Sequence, residues 1–205
     1  MRIYNHKDYG EYLTAQTKKN VRKLSKTRRW IWGKDVRAIT KHAEANIPNI
    51  DFGICHGVRN GWEVREFRRH LKTNIIGTEI SHTATQFENV IHLDFHNIKS
   101  EWIDNVDFIY SNALDHSSDP EYCIDRWMKC LKKDGICYIH WSKNHNIRKL
   151  DAADCFAATK DEYRTLFNQN YHVVDEIEVK RVKRNRTQER VIFAIKHGPI
   201  NNYTS

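Results

Sequence analysis

The stretch from Asn49 to Glu79 combines residue types that could hold a nucleoside. An apolar segment, residues 50–54, runs into a turn that ends on Gly57, and a helical pattern and a second apolar run then lead to Glu79. Doubly wound α/β domains use this order of strand, glycine turn, helix, strand and carboxylate to hold the adenosine part of a cofactor. The acid stands roughly 20 residues beyond the turn, which is the spacing of a ribose-binding carboxylate. We therefore expect Glu79 to contact a ribose.

The glycine spacing distinguishes between cofactors. A dinucleotide-binding fold has G-x-G-x-x-G, with a helix amino terminus aimed at a pyrophosphate. This chain instead has Asp51-x-Gly53-x-x-x-Gly57, with Cys55 at the middle glycine position. The pattern resembles motif I of the class I (type 11-like) S-adenosylmethionine-dependent methyltransferases, whose common form is (D/E)-x-G-x-G-x-G. The resemblance implies S-adenosyl-L-methionine as the cofactor.

The resemblance continues through residues 49–197. Glu79 stands where the family's ribose-binding acid ends the second strand. Residues 93–95 end a third strand, where the family often places an acid near the adenine amino group. Residues 106–116 resemble the fourth strand with its active-site loop, and residues 131–136 resemble the turn into the fifth strand. The order and spacing of these motifs together favour a methyltransferase.

The resemblance implies a set of cofactor-binding residues along these motifs. They are Asp51, Gly53, Cys55, His56, Gly57, Glu79, Ile80, Asp94, Phe95, Asn112 and Ala113. The turn from Asp51 to Gly57 would lie beneath the methionine part of the cofactor. The residues alone also allow simpler interpretations: an ordinary tight turn at the glycines, a solvated strand-end acid at Glu79 and a turn residue at Asp94.

The loop after the fourth strand carries the candidate catalytic residues. Ligands bind at the carboxyl ends of the strands in open α/β sheets, so residues 112–120 should form the rim of the site. A hydroxyl acceptor needs a general base, and His116 is the best candidate because an imidazole titrates near neutral pH. Asp115 could orient His116 or act in its place. Alternatively, Asp115 and His116 only shape the loop.

The elements that must position these residues alternate along the chain. Strand and helix patterns occupy about 49–54, 62–71, 74–79, 90–94, 106–111, 119–132, 135–141 and 159–169. This alternation predicts a Rossmann-like, doubly wound, mostly parallel α/β sheet. Residues 171–179 and 190–196 then predict a final antiparallel hairpin. Such a hairpin, completing seven strands, is typical of the methyltransferases and not of nicotinamide-binding domains.

The chain is predicted to have three parts. Residues 1–48 form a basic helical extension, residues 49–197 form the domain that binds S-adenosylmethionine, and residues 198–205 form a tail. Residues 9–26 indicate a polar helix, and apolar residues recur at helical spacing over 36–47. Trp30 and Trp32 either line the cofactor pocket or anchor the extension by simple hydrophobic contact.

The net charge of +8 is unevenly distributed. Residues 1–50 hold 12 Lys/Arg against 4 Asp/Glu, whereas residues 51–205 hold 22 of each. Such asymmetry favours an anionic or nucleic-acid partner, which we place at residues 18–41. A solvated helical face explains the same charges equally well.

Composition also predicts the cellular compartment and whether the chain has a metal site. No apolar run approaches the length of a membrane span, and the amino terminus lacks the apolar stretch of a secretory signal. The five cysteines are odd in number and form no C-x-x-C pair, which favours free thiols and a cytoplasmic location. None of the 12 histidines lies in a tight ligand spacing with cysteines or acids, so no metal site is predicted.

Several functions remain open at this stage. The first is methyl transfer to O or N of an unidentified acceptor, with a small molecule or glycan favoured because the chain has no separate recognition domain. An RNA methyltransferase or nucleic-acid-binding protein would use the basic amino-terminal part. A non-catalytic module would explain Cys55, while an oxidoreductase or aminopropyl transferase could share the fold. Asn112 begins no Asn-Pro-Pro-Tyr motif, the usual mark of amino methylation on nucleobases.

Overall fold

The computed structural model describes residues 1–24, 30–144, 149–179, 181–183 and 186–198. A seven-stranded sheet forms its centre. In spatial order the strands are β4 (Val90–His92), β3 (Asn74–Glu79), β2 (Phe52–His56), β5 (Val106–Ser111), β6 (Leu131–Ser142), β11 (Arg190–His197) and β8 (Tyr171–Glu178). Short two-stranded sheets pair β1 (Arg2–Ile3) with β7 (Phe156–Ala157), and β9 (Arg181–Lys183) with β10 (Arg186–Gln188).

The central strands are apolar along their whole length because both faces of the sheet are covered. All six residues of β5 are buried. β2 lies between β3 and β5 and pairs with both in parallel, so that Cys55 is level with Gly77 on one side and Tyr110 on the other. The carboxyl ends of these strands consequently meet at one edge of the sheet.

The final hairpin confirms the predicted fold class. β11 runs antiparallel to both β6 and β8, and it is inserted between them. β8 therefore runs in the same direction as the parallel strands, and β11 alone opposes them within the sheet. The Rossmann-like, mostly parallel architecture follows as the sequence predicted.

In the described part of the chain, the α-helices that accompany the sheet are α1 (Tyr9–Lys23), α2 (Gly33–Asn46), α3 (Trp62–Leu71), α4 (Pro120–Cys130) and α5 (Lys160–Asn168). Local sequence signals define where they begin. The Asp8 carboxylate accepts the Glu11 N–H at the start of α1, and Asp119 caps α4, which has Pro120 in its first turn. Two apolar clusters result, one on each face of the sheet, around Trp127 and around Phe67.

The first strand of the sheet begins later than predicted. The sequence pattern placed it over 49–54, whereas β2 spans Phe52–His56. The Asp107 carboxylate accepts the N–H groups of both Asp51 and Phe52, at 3.0 and 3.1 Å. The backbone there is held by a side chain, and sheet pairing with β5 starts only at Gly53. This shift moves the glycine turn along the chain.

The amino-terminal extension packs onto the sheet domain. β1 pairs with β7, and Tyr9 donates a hydrogen bond of 2.9 Å to Asp94. The division at residues 48 and 49 stays a prediction, and the predicted tail lies outside the described residues except for Gly198. Within the described ranges, no helix combines the length and the apolar character that crossing a membrane requires.

Candidate functional site

A cavity lies at the carboxyl ends of β2, β3 and β5, and together with the space that is open to solvent it encloses about 910 Å³. The glycine turn, the end of β3, the loop after β5 and one side of α1 form its walls. The lining residues are Tyr12, Gln16, Asn20, Lys23, Trp30, Gly57, Val58, Arg59, Asn60, Trp62, Glu63, Glu79, Ile80, Phe95, Asn112, Ala113, Asp115, His116 and Asp154.

The glycine turn runs from Gly57 to Gly61. Three of its residues have positive φ angles: Gly57 at +70°, Arg59 at +50° and Gly61 at +67°. A Cβ atom on Gly57 would lie 2.5 Å from the Cβ of Ala113, so the turn can approach the loop after β5 only without a side chain. The turn therefore has the pattern Gly57-x-x-x-Gly61, of which Gly57 lines the cavity and Gly61 packs against Val90 and Phe87, and Arg59 has a backbone conformation that glycine favours.

The structure corrects the placement of Asp51, Gly53 and Cys55. None of the three lines the cavity. Asp51 is exposed just before β2 begins, at the amino end of the strand, which is the opposite edge of the sheet. Gly53 and Cys55 lie within β2, where a Cβ on Gly53 would stand 2.5 Å from the Ile75 side chain. The cause is the late start of β2, which puts these residues in the strand instead of the turn.

His56 is also corrected, because it is a core residue. Its ring stacks on Trp127 with 4.7 Å between ring centroids, and its Nδ1 lies 2.8 Å from the Thr78 hydroxyl. Burial disfavours the charged imidazolium and lowers the pKa of His56 to about 3. The ring is neutral at physiological pH and stabilises the packing beneath the turn.

Glu79 lies where the sequence predicted, in the wall of the cavity. Its carboxylate accepts the Arg59 N–H at 2.8 Å, the Ser81 N–H at 3.0 Å and the Asn20 amide at 2.6 Å. Burial raises the pKa of Glu79, while these three hydrogen bonds oppose the shift. A carboxylate offers about four acceptor positions, so one remains for a ligand hydroxyl.

Asp94 lies close to the cavity but does not line it, whereas Ile80 and Phe95 do. One Asp94 oxygen accepts the Tyr9 hydroxyl at 2.9 Å, and the other accepts the His96 Nδ1–H at 2.8 Å. Burial alone would raise the pKa of Asp94, but the His96 and Tyr9 hydrogen bonds hold it below its usual range. The Asp94 side chain therefore ties the amino-terminal extension to the sheet, and its contact with the cofactor stays a prediction.

The loop after β5 brings four predicted residues into the cavity. Asn112, Ala113, Asp115 and His116 all line it. Asp115 is 3% exposed, whereas His116 keeps about a quarter of its side chain accessible. The loop is supported from below by Ser117, whose hydroxyl lies 2.8 Å from Nε2 of His96. A continuous chain of hydrogen bonds thus runs from Tyr9 through Asp94 and His96 to this loop.

The His116 ring is oriented by its surroundings. Nδ1 contacts the Ala153 carbonyl oxygen, which can only accept a hydrogen bond. Nδ1 therefore carries the proton, and in the neutral ring the lone pair is on Nε2. The Asp154 carboxylate lies 3.7 Å from Nδ1. This is the tautomer in which Nε2 can accept a proton from another molecule.

Asp115, His116 and Asp154 form a group with metal-binding potential. One ligand atom from each lies within 4.8 Å of the others. Carboxylate oxygen and imidazole nitrogen both bind divalent transition metals. However, the Lys19 ammonium already pairs with Asp154. The sequence could not show this group because Asp154 is far from the other two along the chain, and the absence of metal stays a prediction.

Sequence reasoning missed the contribution of α1. Tyr12, Gln16, Asn20 and Lys23 follow one side of that helix at spacings of three and four residues and line the cavity. Gln16 donates to the Ala153 carbonyl at 3.0 Å. The signal in the sequence for this side of α1 was weak, namely a row of amide and cationic side chains. Polar residues also occur on the other sides of the helix, so this row did not stand out. Trp30 also lines the cavity, whereas Trp32 packs under the Arg190 guanidinium.

Comparisons with known proteins identify the fold. No protein-family model matches the chain, and no curated protein matches its sequence. Solved structures do match. The 1,6-didemethyltoxoflavin-N1-methyltransferase of Burkholderia thailandensis, solved with S-adenosylhomocysteine, is 14% identical with a TM-score of 0.71, covering 95% of this chain and 93% of that one.

Two further structures agree. The plantazolicin methyltransferase BpumL, solved with S-adenosylhomocysteine and a substrate analogue, is 12% identical with a TM-score of 0.65, covering 92% of this chain and 96% of that one. The N-methyltransferase NodS of Bradyrhizobium japonicum, also with S-adenosylhomocysteine, is 13% identical with a TM-score of 0.61, covering 88% and 98%. The chain has the class I methyltransferase fold, as its motifs predicted.

Proposed function

We propose that this protein is an S-adenosylmethionine-dependent methyltransferase that transfers a methyl group to O or N of an acceptor molecule. One observation carries the proposal: the tight Gly57–Gly61 turn and the buried Glu79 carboxylate bound the same cavity. The similar structures that hold S-adenosylhomocysteine support it.

The residues present fit an adenosyl cofactor. Gly57 lines the cavity, and a Cβ on it would close the approach of the turn to Ala113. Glu79 retains acceptor capacity for a ribose hydroxyl, while Ile80 and Phe95 offer apolar surface to an adenine ring. Arg59 lines the cavity and can pair with the cofactor carboxylate.

The remaining residues act on the acceptor. S-adenosylmethionine supplies an electrophilic methyl group, so the protein has to align the acceptor and exclude water. His116 faces the cavity with Nδ1 engaged by a backbone carbonyl, which leaves Nε2 to take the acceptor proton. Asp115 is buried beside it, with a carboxylate oxygen within 4.8 Å of a ring nitrogen of His116.

Calorimetric titration tests the cofactor. Purified protein is titrated with S-adenosylmethionine, S-adenosylhomocysteine and NAD, and the titrations are repeated on Glu79→Ala. We expect both adenosyl ligands to bind with micromolar affinity and NAD not to bind, and we expect the variant to lose that affinity. Glu101→Ala removes an exposed acid on the surface and serves as the matched control.

Two results would overturn the proposal. If folded protein binds neither adenosyl ligand, the chain is a binding module on the same fold. If NAD binds instead, the protein is an oxidoreductase. Circular dichroism on every variant separates loss of binding from loss of structure.

A further inference from the structure

A second cavity adjoins the first. It encloses about 760 Å³ together with the space that is open to solvent, and it lies between the second half of α1 and the segment 151–154. Its lining residues are Ala15, Lys18, Lys19, Arg22, Lys23, Asp151, Ala152, Ala153 and Asp154. We call it the α1 groove. Lys23 and Asp154 line both cavities, so the two are adjacent.

The α1 groove carries an excess of positive charge, with four cations against two carboxylates. Both carboxylates already have partners. Asp154 pairs with Lys19, and Asp151 accepts the N–H groups of Ala153 and Asp154 at 2.8 and 2.7 Å. Among the described residues, neither carboxylate pairs with Lys18 or Arg22.

Lys18 and Arg22 are the cations available to a ligand. They are exposed, one helical turn apart, and both face the α1 groove. Within the described part of the chain, neither forms an ion pair. A lysine and an arginine converging on one concave site suit a phosphate group, which accepts several hydrogen bonds from such donors.

Asp154 links this site to the candidate base. One of its oxygens contacts the Lys19 ammonium in the α1 groove, and the other lies 3.7 Å from Nδ1 of His116 in the cofactor cavity. A molecule with its anionic end on Lys18 and Arg22 can therefore extend past Asp154 toward His116. The groove is the natural continuation of the site on the acceptor side.

We propose that the α1 groove binds the phosphate group of a small phosphorylated methyl acceptor, with Lys18 and Arg22 as its main contacts. This inference rests on the proposed function. A nucleic acid is the less favoured ligand, because polynucleotide binding uses many cations along a continuous track. Here Asp151 and Asp154 border the two available cations.

Pyrophosphate is the test ligand, titrated with and without saturating S-adenosylhomocysteine. The Lys18→Ala/Arg22→Ala protein is compared with Lys129→Ala/Lys133→Ala, which removes two exposed lysines that are also four residues apart but lie outside residues 18–41 and outside both cavities. We expect the first double variant to bind pyrophosphate at least about tenfold more weakly than the unmodified protein, as loss of two charged contacts should. The control should stay within about twofold, and S-adenosylhomocysteine binding should be unchanged in both.

Several outcomes would overturn the α1 groove as an acceptor site. These are equal losses in both double variants, mutual exclusion of pyrophosphate and S-adenosylhomocysteine, or no pyrophosphate binding while S-adenosylhomocysteine binds normally. Tight binding of a uridine decamer that is lost in the first double variant, without pyrophosphate binding, would make the ligand RNA. Failure to bind S-adenosylhomocysteine would overturn the proposed function itself, while the titration without it still decides whether the groove holds an anion.

Discussion

Glu79 and Asp94 follow neighbouring parallel strands at the same edge of the sheet, yet the structure uses them differently. Glu79 lines the cavity and keeps room for one further hydrogen bond after three from the protein. Asp94 also accepts three hydrogen bonds, from the Tyr9 hydroxyl and from the backbone and ring of His96, but it does not line the cavity. The position of an acid at a strand end therefore does not decide whether it meets a ligand; the groups that surround it do.

The largest expected effect is a loss of stability from a substitution in the glycine turn, whose Arg59 N–H binds the Glu79 carboxylate. Gly57→Ala would place a Cβ 2.5 Å from that of Ala113 at a φ of +70°. We expect the free energy of unfolding to fall by about 3 kcal/mol, from left-handed strain and overpacking together. Urea denaturation measures the change. Gly33→Ala is the control, because its new Cβ would meet only the flexible end of Arg37; an equal loss there would contradict the account of the turn.

Binding of S-adenosylhomocysteine separates the two acids directly. Glu79→Gln removes the charge from the acceptor of a ribose hydroxyl, and we expect an affinity loss of about thirtyfold, or ~2 kcal/mol. Asp94→Asn should stay within about threefold of the unmodified protein. Calorimetry on the two variants measures both values. If Asp94→Asn lost more affinity for S-adenosylhomocysteine than Glu79→Gln, the comparison would be reversed and Asp94 would be a cofactor-binding residue.

Replacement of Asp94 should lower the stability of the protein. Asp94→Asn weakens charge-assisted hydrogen bonds from Tyr9 and His96, so we expect the free energy of unfolding to fall by about 1.5 kcal/mol. Tyr9→Phe removes one of these bonds and should cost less. Thermal unfolding of the single and double variants measures the coupling. Simple additivity of the two losses would show that the two residues do not act together.

The pH dependence of stability should differ in sign between the two acids. The pKa of Glu79 is raised, so its contribution to stability is present at low pH and is lost as pH rises through the folded-state pKa. The pKa of Asp94 is lowered, so its contribution is present at neutral pH and is lost as pH falls through that pKa.

Variants reveal these opposite slopes. As pH falls from neutral toward the ordinary glutamate pKa of about 4.5, the unmodified protein should gain stability relative to Glu79→Gln. Below about pH 4 it should lose stability relative to Asp94→Asn. Each slope is at most about 1.4 kcal/mol per pH unit. Urea denaturation at a series of pH values gives the comparison, and slopes of equal sign would refute the two environments described.

The sequence alone determined the fold class and the order of the elements. Apolar runs along the central strands, alternation with amphipathic helices and the final hairpin are local patterns, and each emerged at nearly the predicted residues. Glu79 and the 112–116 loop were also predictable, because parallel strands all deliver their carboxyl ends to one edge of the sheet.

The tertiary structure decided the register and the partners. The start of β2 depends on the Asp107 carboxylate, more than fifty residues away, which holds the backbone before Phe52. Because the strand begins later than predicted, the turn occupies Gly57–Gly61 and not Asp51–Gly57. The cover supplied by α1, the engagement of Asp94 and the approach of Asp154 to His116 are likewise long-range contacts. No periodicity within a segment encodes them, because they form only when distant parts of the chain pack together.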